Sequence, residues 1–361
     1  MQTIRAAVVG VGHLGKEHAR ILASIPGVQL VGVVDPHPEQ AKAIAEKHGC
    51  QPFTEFRQVL DKVDAVSIAA PTIHHASIAK EFLSRGIHVL VEKPLTPTVA
   101  EADMLVDLAA KHRVVMQVGH IERFNPAFEE LQKRPLEPKL IRAQRVGPFT
   151  GRSTDIGVVL DLMIHDIDLL LALVKSPVAS VEALGMTVFG GQEDVANARL
   201  RFENGCVADL TASRASPTIA RTMQLWGPEG FADVDFAKRT VTLVQPSESV
   251  RRHGLDPTKL NKDSRMKLRD ELFTKYLETT TVDGQAKDQL TAELSHFADC
   301  IRSGATPRVS GADGRDTVAV AQRILHAIHQ HEWNGAGAGP QGAHNLPLPR
   351  GPLFQKHAEA A

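Results

Sequence analysis

A strand-forming run, Ile4–Val9, passes directly into Gly10-Val11-Gly12-His13-Leu14-Gly15, and a helical pattern follows at once. No other juncture in the chain constrains its fold as much. Glycines at this spacing permit a tight turn, close approach of the backbone to a pyrophosphate, and close packing of the next helix on the strand. The N-terminus of that helix then offers amides and partial positive charge to the phosphates. GxGxxG alone is a weak signal. Here it sits between a strand and a helix, and Asp35 follows twenty residues after Gly15, at the end of a second strand-like run over 28–34. A carboxylate at that place can accept from both hydroxyls of an adenosine ribose and would repel a 2′-phosphate. No Lys or Arg follows it until Lys42. The expected cofactor is therefore NAD rather than NADP, held by Gly10, Gly12, His13, Leu14, Gly15 and Asp35.

The alternation continues. The pattern predicts a helix over 14–25 ended by Pro26-Gly27, a helix to about 48, and a strand over 65–69. A helix over 76–85 stopped by Gly86, a strand over 87–91, a helix over 99–112 and a strand over 114–118 follow. Such βαβ units make a doubly wound parallel sheet with helices on both faces. Past residue 121 the texture changes. Strands are expected over 140–146, 178–188 and 197–212, the last folded at Asn204-Gly205 in a type I′ hairpin. Others are expected over 222–226, 231–234 and 241–244, with helices over 158–174, 290–302 and 314–331.

The fold class is thus α/β: an N-terminal Rossmann-type parallel sheet, then an α+β domain built on an open, mainly antiparallel sheet. Residues 1–121 form the dinucleotide-binding domain, 122–334 the substrate and oligomerisation domain, and 335–361, rich in Gly, Ala and Pro, a disordered tail. An uncovered apolar sheet face must be buried, which leads us to expect a homodimer or homotetramer.

A chain of 361 residues suits two domains, and 41 basic against 42 acidic residues mark neither a nucleic-acid nor a membrane-surface binder. Cys50, Cys206 and Cys300 are far apart, which argues against a disulfide framework or structural zinc and fits a reducing compartment. With no leader pattern and no long uncharged apolar stretch, a cytoplasmic protein is expected.

Chemistry concentrates in an apolar helix. Asp161, His165 and Asp168 recur at i, i+4 and i+7 and so share a face. Burying such groups unpaired costs several kcal/mol in order of magnitude, so the stripe is either a polar network or an active site. Glu92-Lys93-Pro94 ends the strand over 87–91, and Pro71-Thr-Ile-His74-His75 follows the strand over 65–69. Both lie on the rim where doubly wound sheets bind ligands. The adjacent histidines suggest a metal site, but no third ligand has fitting spacing, so no metal is expected. Tyr276 is the only tyrosine and position 280 is threonine, so the Tyr-xxx-Lys pair of short-chain dehydrogenases is absent. The charged stretch over 246–271 reads as a solvated, mobile insertion, or else as a lid or subunit contact.

Taken together, the glycine turn, Asp35, Pro71 with His75, Glu92-Lys93-Pro94 and Asp161-xxx-His165 resemble the glucose–fructose oxidoreductase/inositol dehydrogenase (Gfo/Idh/MocA) family across residues 4–330. The resemblance implies an NAD-dependent dehydrogenase acting on a secondary sugar hydroxyl. Lys93, Asp161 and His165 are then catalytic, and Pro71, His75 and Glu92 join the cofactor contacts. His165, with an ordinary pKa near 6.5, takes the hydroxyl proton. Lys93 holds the hydroxyl, and Asp161 orients the imidazole and favours its protonated form. Arg123 and Asn125 join Lys93 and His165 as substrate contacts. Gly119-His-Ile-Glu-Arg123-Phe-Asn125-Pro126 and 161–166 look most like members acting on nucleotide sugars. That points to the 3-hydroxyl of a UDP-linked N-acetylhexosamine such as UDP-N-acetylglucosamine, oxidised to a 3-keto sugar of the kind later aminated for lipid A. Met163 replaces a glycine common in the family, which implies a differently shaped substrate pocket. A dehydrogenase of free polyols or hexoses, and a non-catalytic NAD-binding regulator, are the alternatives.

Overall fold

The computed structural model describes residues 3–134, 136–151, 156–189, 191–285, 288–333 and 337–342. Six parallel strands, β1 (Ile4–Val9), β2 (Val28–Val34), β3 (Gln51–Phe53), β4 (Ala65–Ile68), β5 (His88–Glu92) and β6 (Met116–Gly119), lie in the order β3-β2-β1-β4-β5-β6. Between them run α1 (Gly15–Leu22), α2 (Pro38–His48), α3 (Thr72–Leu83) and α4 (Val99–His112). Helices on both faces explain why β4 is buried at every position. The strand order reverses between β1 and β4, so the ligand crevice opens where Gly10 and Pro71 stand. The sequence pattern missed β3, a three-residue strand containing Pro52. It also placed the start of α3 four residues late, because Pro71 is already the residue preceding the first turn.

The chain then makes α5 (Pro126–Gln132) and a second sheet of nine strands. These are β7 (Leu140–Pro148), β8 (Val178–Thr187), β9 (Val195–Phe202), β10 (Val207–Ser213), β11 (Ala215–Gly227), β12 (Gly230–Asp235), β13 (Thr240–Pro246), β14 (Leu277–Asp283) and β15 (Gln341–Gly342). Their order is β14-β13-β12-β11-β7-β10-β9-β8-β15, antiparallel except at β7–β10 and β8–β15. Alternate residues such as Ala198, Leu200, Leu210 and Met223 meet α6 (Ile164–Val174) and the second half of α10 (Gly311–Gln330) in one core. The opposite face carries Arg142, Gln144, Arg199, Asp209 and Gln224 around a hollow of about 1000 Å³. Around that hollow the face is mainly polar, so among the described residues it is not the apolar surface from which an oligomer was expected.

Three further expectations change. The β9–β10 turn is not type I′: only Gly205 has positive φ, at 84°, and its N–H donates to Phe202 O, giving a type I turn with a left-handed glycine after it. The charged stretch forms α7 (Glu248–His253) and α8 (Lys262–Glu271), then returns as the edge strand β14. The tail expected to be disordered from 335 begins with β15, paired on the sheet edge, while residues 343–361 lie outside those described. Helix α9 (Gln289–Ser303), although within the 122–334 segment, packs Leu294, Phe297 and Ala298 against Ile21, Leu22 and Val11 of the first sheet's layer. Among the described residues no helix is long and apolar enough to cross a membrane.

Candidate active site

The glycine turn has the shape a dinucleotide needs. Gly10 has φ 83° and its missing Cβ would lie 2.8 Å from Ala69 O, while a Cβ on Gly15 would lie 1.7 Å from Gly10 O. Gly12 faces open space, which leaves the backbone approachable by a pyrophosphate. His13 and Leu14 are exposed beside it. Asp35 is buried at the end of β2, where it accepts from Val11 N and His37 N at 3.0 Å and from Gln40 Nε2 at 3.1 Å. The carboxylate thus ties the turn to β2 as well as standing where a ribose would sit.

On the crevice rim three expected cofactor contacts divide. Pro71 is exposed at the head of α3. His75 is buried, with Nδ1 2.9 Å from Pro94 O and Nε2 2.8 Å from Ala70 O, so it clasps the two rim loops and keeps no ring nitrogen for a cofactor. Glu92 turns inward to His18 Nε2 at 3.1 Å and accepts from Lys93 N at 3.2 Å. Both corrections have one cause: a buried polar group takes the nearest protein partner. His74 is exposed, and among the described residues no cluster of three His, Cys, Asp or Glu could hold a metal.

The helix bearing Asp161 and His165 opens with a π-type turn, Val159–Met163, a distortion that re-aims side chains and is frequent at functional sites. Glu193 caps it, accepting from Val158 N on its carbonyl at 3.0 Å and from Val159 N on Oε1 at 3.1 Å. Gly157 is required for that approach, since a Cβ there would lie 2.1 Å from Glu193 Oε1. Met163 is fully buried in the second sheet's core, so it does not shape a substrate pocket as its substitution for glycine implied.

Each acid of the stripe meets a cation from elsewhere in the chain. Lys93 Nζ donates to Asp161 O at 2.7 Å and to Oδ1 at 3.1 Å. Arg145 of β7 binds Asp166 at 2.8 Å and Glu122 at 2.7 Å. Arg123 forks onto Asp168 at 2.7 and 2.9 Å. Arg123 is thus occupied and buried rather than presented to a substrate. Asn125 is likewise engaged, since it heads α5 by accepting from Ala127 N and donates to Glu122 Oε2 and Phe236 O. The stripe is therefore both things at once: Asp168, with Asp166 beside it, belongs to a buried ion-paired network, and Asp161 and His165 are gathered around Lys93.

His165 is partly exposed, with Nδ1 buried and without a protein partner. Burial first, then Lys93, Arg145, His120 and Arg221, hold its pKa well below the ordinary value. This overturns the expectation that Asp161 favours the protonated form. The imidazole rests neutral, the state in which it can accept a proton. His120, at the end of β6, lies edge to face with it, ring centroids 6.4 Å apart. Arg221 of β11 pairs in register with Arg145, on the same face of the sheet; it is exposed and makes no ion pair or hydrogen bond through its guanidinium among the described residues. His120, Arg145 and Arg221 escaped the sequence reading. For His120 a signal existed, because it too follows the end of a parallel strand.

Comparisons with known proteins identify both parts of the chain. Residues 4–120 match the model of an oxidoreductase family with an NAD-binding Rossmann fold (GFO/IDH/MocA), and 133–233 match that family's C-terminal domain. UDP-N-acetylglucosamine 3-dehydrogenase of Acidithiobacillus ferrooxidans is 35% identical over 90% of this chain and 97% of its own. Its solved structure superposes with a TM-score of 0.80, covering 91% of this chain and 98% of that one at 33% identity. The scyllo-inositol 2-dehydrogenase (NAD(+)) of Bacillus subtilis is 29% identical over 86% of this chain and 90% of its own.

Proposed function

Because the chain belongs to the GFO/IDH/MocA family of NAD-binding oxidoreductases, we propose that it oxidises the 3-hydroxyl of a UDP-linked N-acetylhexosamine to the 3-keto sugar. NAD, when bound, accepts the hydride that leaves the carbinol carbon. The observation that carries the reading is a neutral His165 beside the Lys93–Asp161 pair, where the end of β5 meets the helix carrying Asp161 and His165. In this reading His165 removes the hydroxyl proton. Lys93, fixed by two bonds to Asp161, donates to the same oxygen and stabilises the charge that develops there. Asp161 positions Lys93 rather than the imidazole. Arg123 and Asn125 hold the wall of the site without touching substrate. Residues 1–121 bind the cofactor and 122–334 the sugar, with α9 packed on the first unit.

The UDP-sugar reading is supported by the relative that matches nearly its whole length, and by Arg221, an unpaired cation near His165 that suits a diphosphate. A free polyol is the second reading, supported by the inositol dehydrogenase relative. A panel of NAD-reduction assays with UDP-N-acetylglucosamine, free N-acetylglucosamine and scyllo-inositol decides between them. Turnover of scyllo-inositol but not of the UDP-sugar would reject the first reading. His165→Ala and Lys93→Ala are each expected to slow single-turnover NAD reduction by roughly 10²–10⁴-fold. Full rate in either variant would remove that residue from the mechanism.

A further inference from the structure

Both ring nitrogens of His120 are buried and have no hydrogen-bond partner, and the same holds for Nδ1 of His165 beside it. Buried polar atoms are almost always paired, so two neighbouring imidazoles with three orphaned nitrogens between them call for a reason. Their rings meet edge to face at 6.4 Å between centroids and 87° between planes, and no hydrogen bond joins them directly, so a proton passing between them needs an intermediary such as one water. His120 is carried by the tight passage from β6 into a 3₁₀ turn, Ile121–Phe124, and the ion pairs of Glu122 with Arg145 and Arg123 with Asp168 fix that turn. The backbone carrying the ring is thereby held beside His165, and the ring itself is buried.

We infer that His120 is the second member of a proton relay, accepting through a water the proton that His165 releases from its buried nitrogen. The substrate O–H bond breaks as its proton joins the outer nitrogen of His165. The N–H on the inner nitrogen of His165 then passes its proton toward His120, which leaves His165 neutral and His120 protonated. After the product dissociates, His120 returns its proton to the inner nitrogen of His165 as the outer N–H is released to water, which restores both rings and closes the cycle with one proton released for each alcohol oxidised. The inference rests on His165 as the base. Should His165→Ala keep full rate, that assignment fails first and independently.

The charged surroundings favour this direction. Besides burial, the neighbours that weigh most on His165 are Lys93, Arg145, His120 and Arg221, and each of them disfavours an imidazolium. Those acting on His120 are Asp168 and Glu92, which favour the cation, and Arg123 and Lys93, which oppose it. A proton moved from His165 to His120 therefore leaves a cationic setting for one that contains two carboxylates. Burial keeps His120 neutral at rest and so able to accept.

The test uses His120→Phe, which keeps ring volume but cannot carry a proton, and His120→Gln, which keeps polarity in case the first variant folds poorly. The substrate is UDP-N-acetylglucosamine or, should that prove inactive, whichever sugar of the panel reduces NAD. The relay predicts that kcat falls roughly 10–100-fold in both variants, with KM unchanged. The solvent deuterium isotope effect on single-turnover NAD reduction should grow, and added imidazole should restore rate in proportion to its concentration. An unchanged isotope effect together with no rescue would overturn the relay. So would a loss confined to KM, which would make His120 a substrate contact instead.

Discussion

The ion pair between Arg123 and Asp168 separates two readings of the same arginine by measurement. Its two bonds, 2.7 and 2.9 Å, join side chains that are 8% and 1% exposed, so solvent screens the pair little. Arg123→Met leaves Asp168 in a pocket where its charge already bears on Glu293 and His120. Removing one partner of such a buried pair costs roughly 3–5 kcal/mol, most of it the penalty of the stranded charge. Replacing both, as Arg123→Met with Asp168→Leu, removes the charge as well and should cost less than either single change. That corresponds to a coupling of at least about 3 kcal/mol in a double-mutant cycle. Denaturant midpoints give the stabilities, and the KM for the sugar, measured in parallel, should stay within about twofold. If Arg123→Met raises KM tenfold and leaves the midpoint where it was, the arginine reaches substrate after all and the argument from burial is wrong.

Other parts of the molecule give sharper single tests. Gly157→Ala forces the Glu193 cap off the helix that carries Asp161 and His165; it should cost about 1–3 kcal/mol and lower kcat, read by thermal unfolding and turnover. Asp35→Asn removes the charge at the end of β2, so titration should show NAD binding roughly 10–100-fold weaker and NADP no longer disfavoured. Glu293 has both carboxyl oxygens buried without a partner, and burial, then Glu92 and Asp168, raise its pKa well above the ordinary value. The native state thus holds a proton that the unfolded chain gives up above about pH 4.3, and stability from this group is lost as pH rises. Glu293→Gln should therefore stabilise the protein at pH 8 relative to pH 4, as followed by denaturation at the two values.

What the sequence disclosed follows the range of each interaction. The strands β1 and β2 and the helix α4 were legible to the residue and the end of α2 nearly so, because β-branched runs and helical periodicity are local signals. Edge strand β14 was not, since Leu277–Asp283 is mostly exposed and threonine-rich, without the alternation that burial of one face imposes. The pairing of Lys93 with Asp161 could be anticipated only through a family resemblance, for the two are 68 residues apart. The fates of His75, Glu92, Arg123 and Asn125 could not be. Each residue type suits a ligand contact, and only the folded chain shows that Pro94 O, His18, Asp168 and Phe236 O reach it first. Met163 likewise packs into the core of the second sheet, which only the folded chain shows.

The charge balance around His165 ties the substrate to the pH profile. Lys93, Arg123, Arg145 and Arg221 are matched by Asp161, Asp166, Asp168 and Glu122, so the site is close to neutral while the imidazole is neutral. Arg221 is the one cation of the four with no ion-pair partner among the described residues. A diphosphate bound beside it would bring negative charge within reach of His165 and make its protonation easier, whereas a neutral polyol would not. The acid limb of kcat/KM reports the free enzyme and should lie below about pH 6.5, as burial and the neighbouring cations dictate. The limb of kcat reports the bound complex, and with a UDP-sugar it should stand at higher pH than the limb of kcat/KM. With a free polyol the two should coincide. Arg221→Gln should shift the kcat/KM limb upward, because one of the cations that depress the imidazole is gone. Coincident limbs with the UDP-sugar, or a kcat/KM limb at pH 7 or above in the wild-type protein, would show that the imidazole does not feel the charges the structure sets around it.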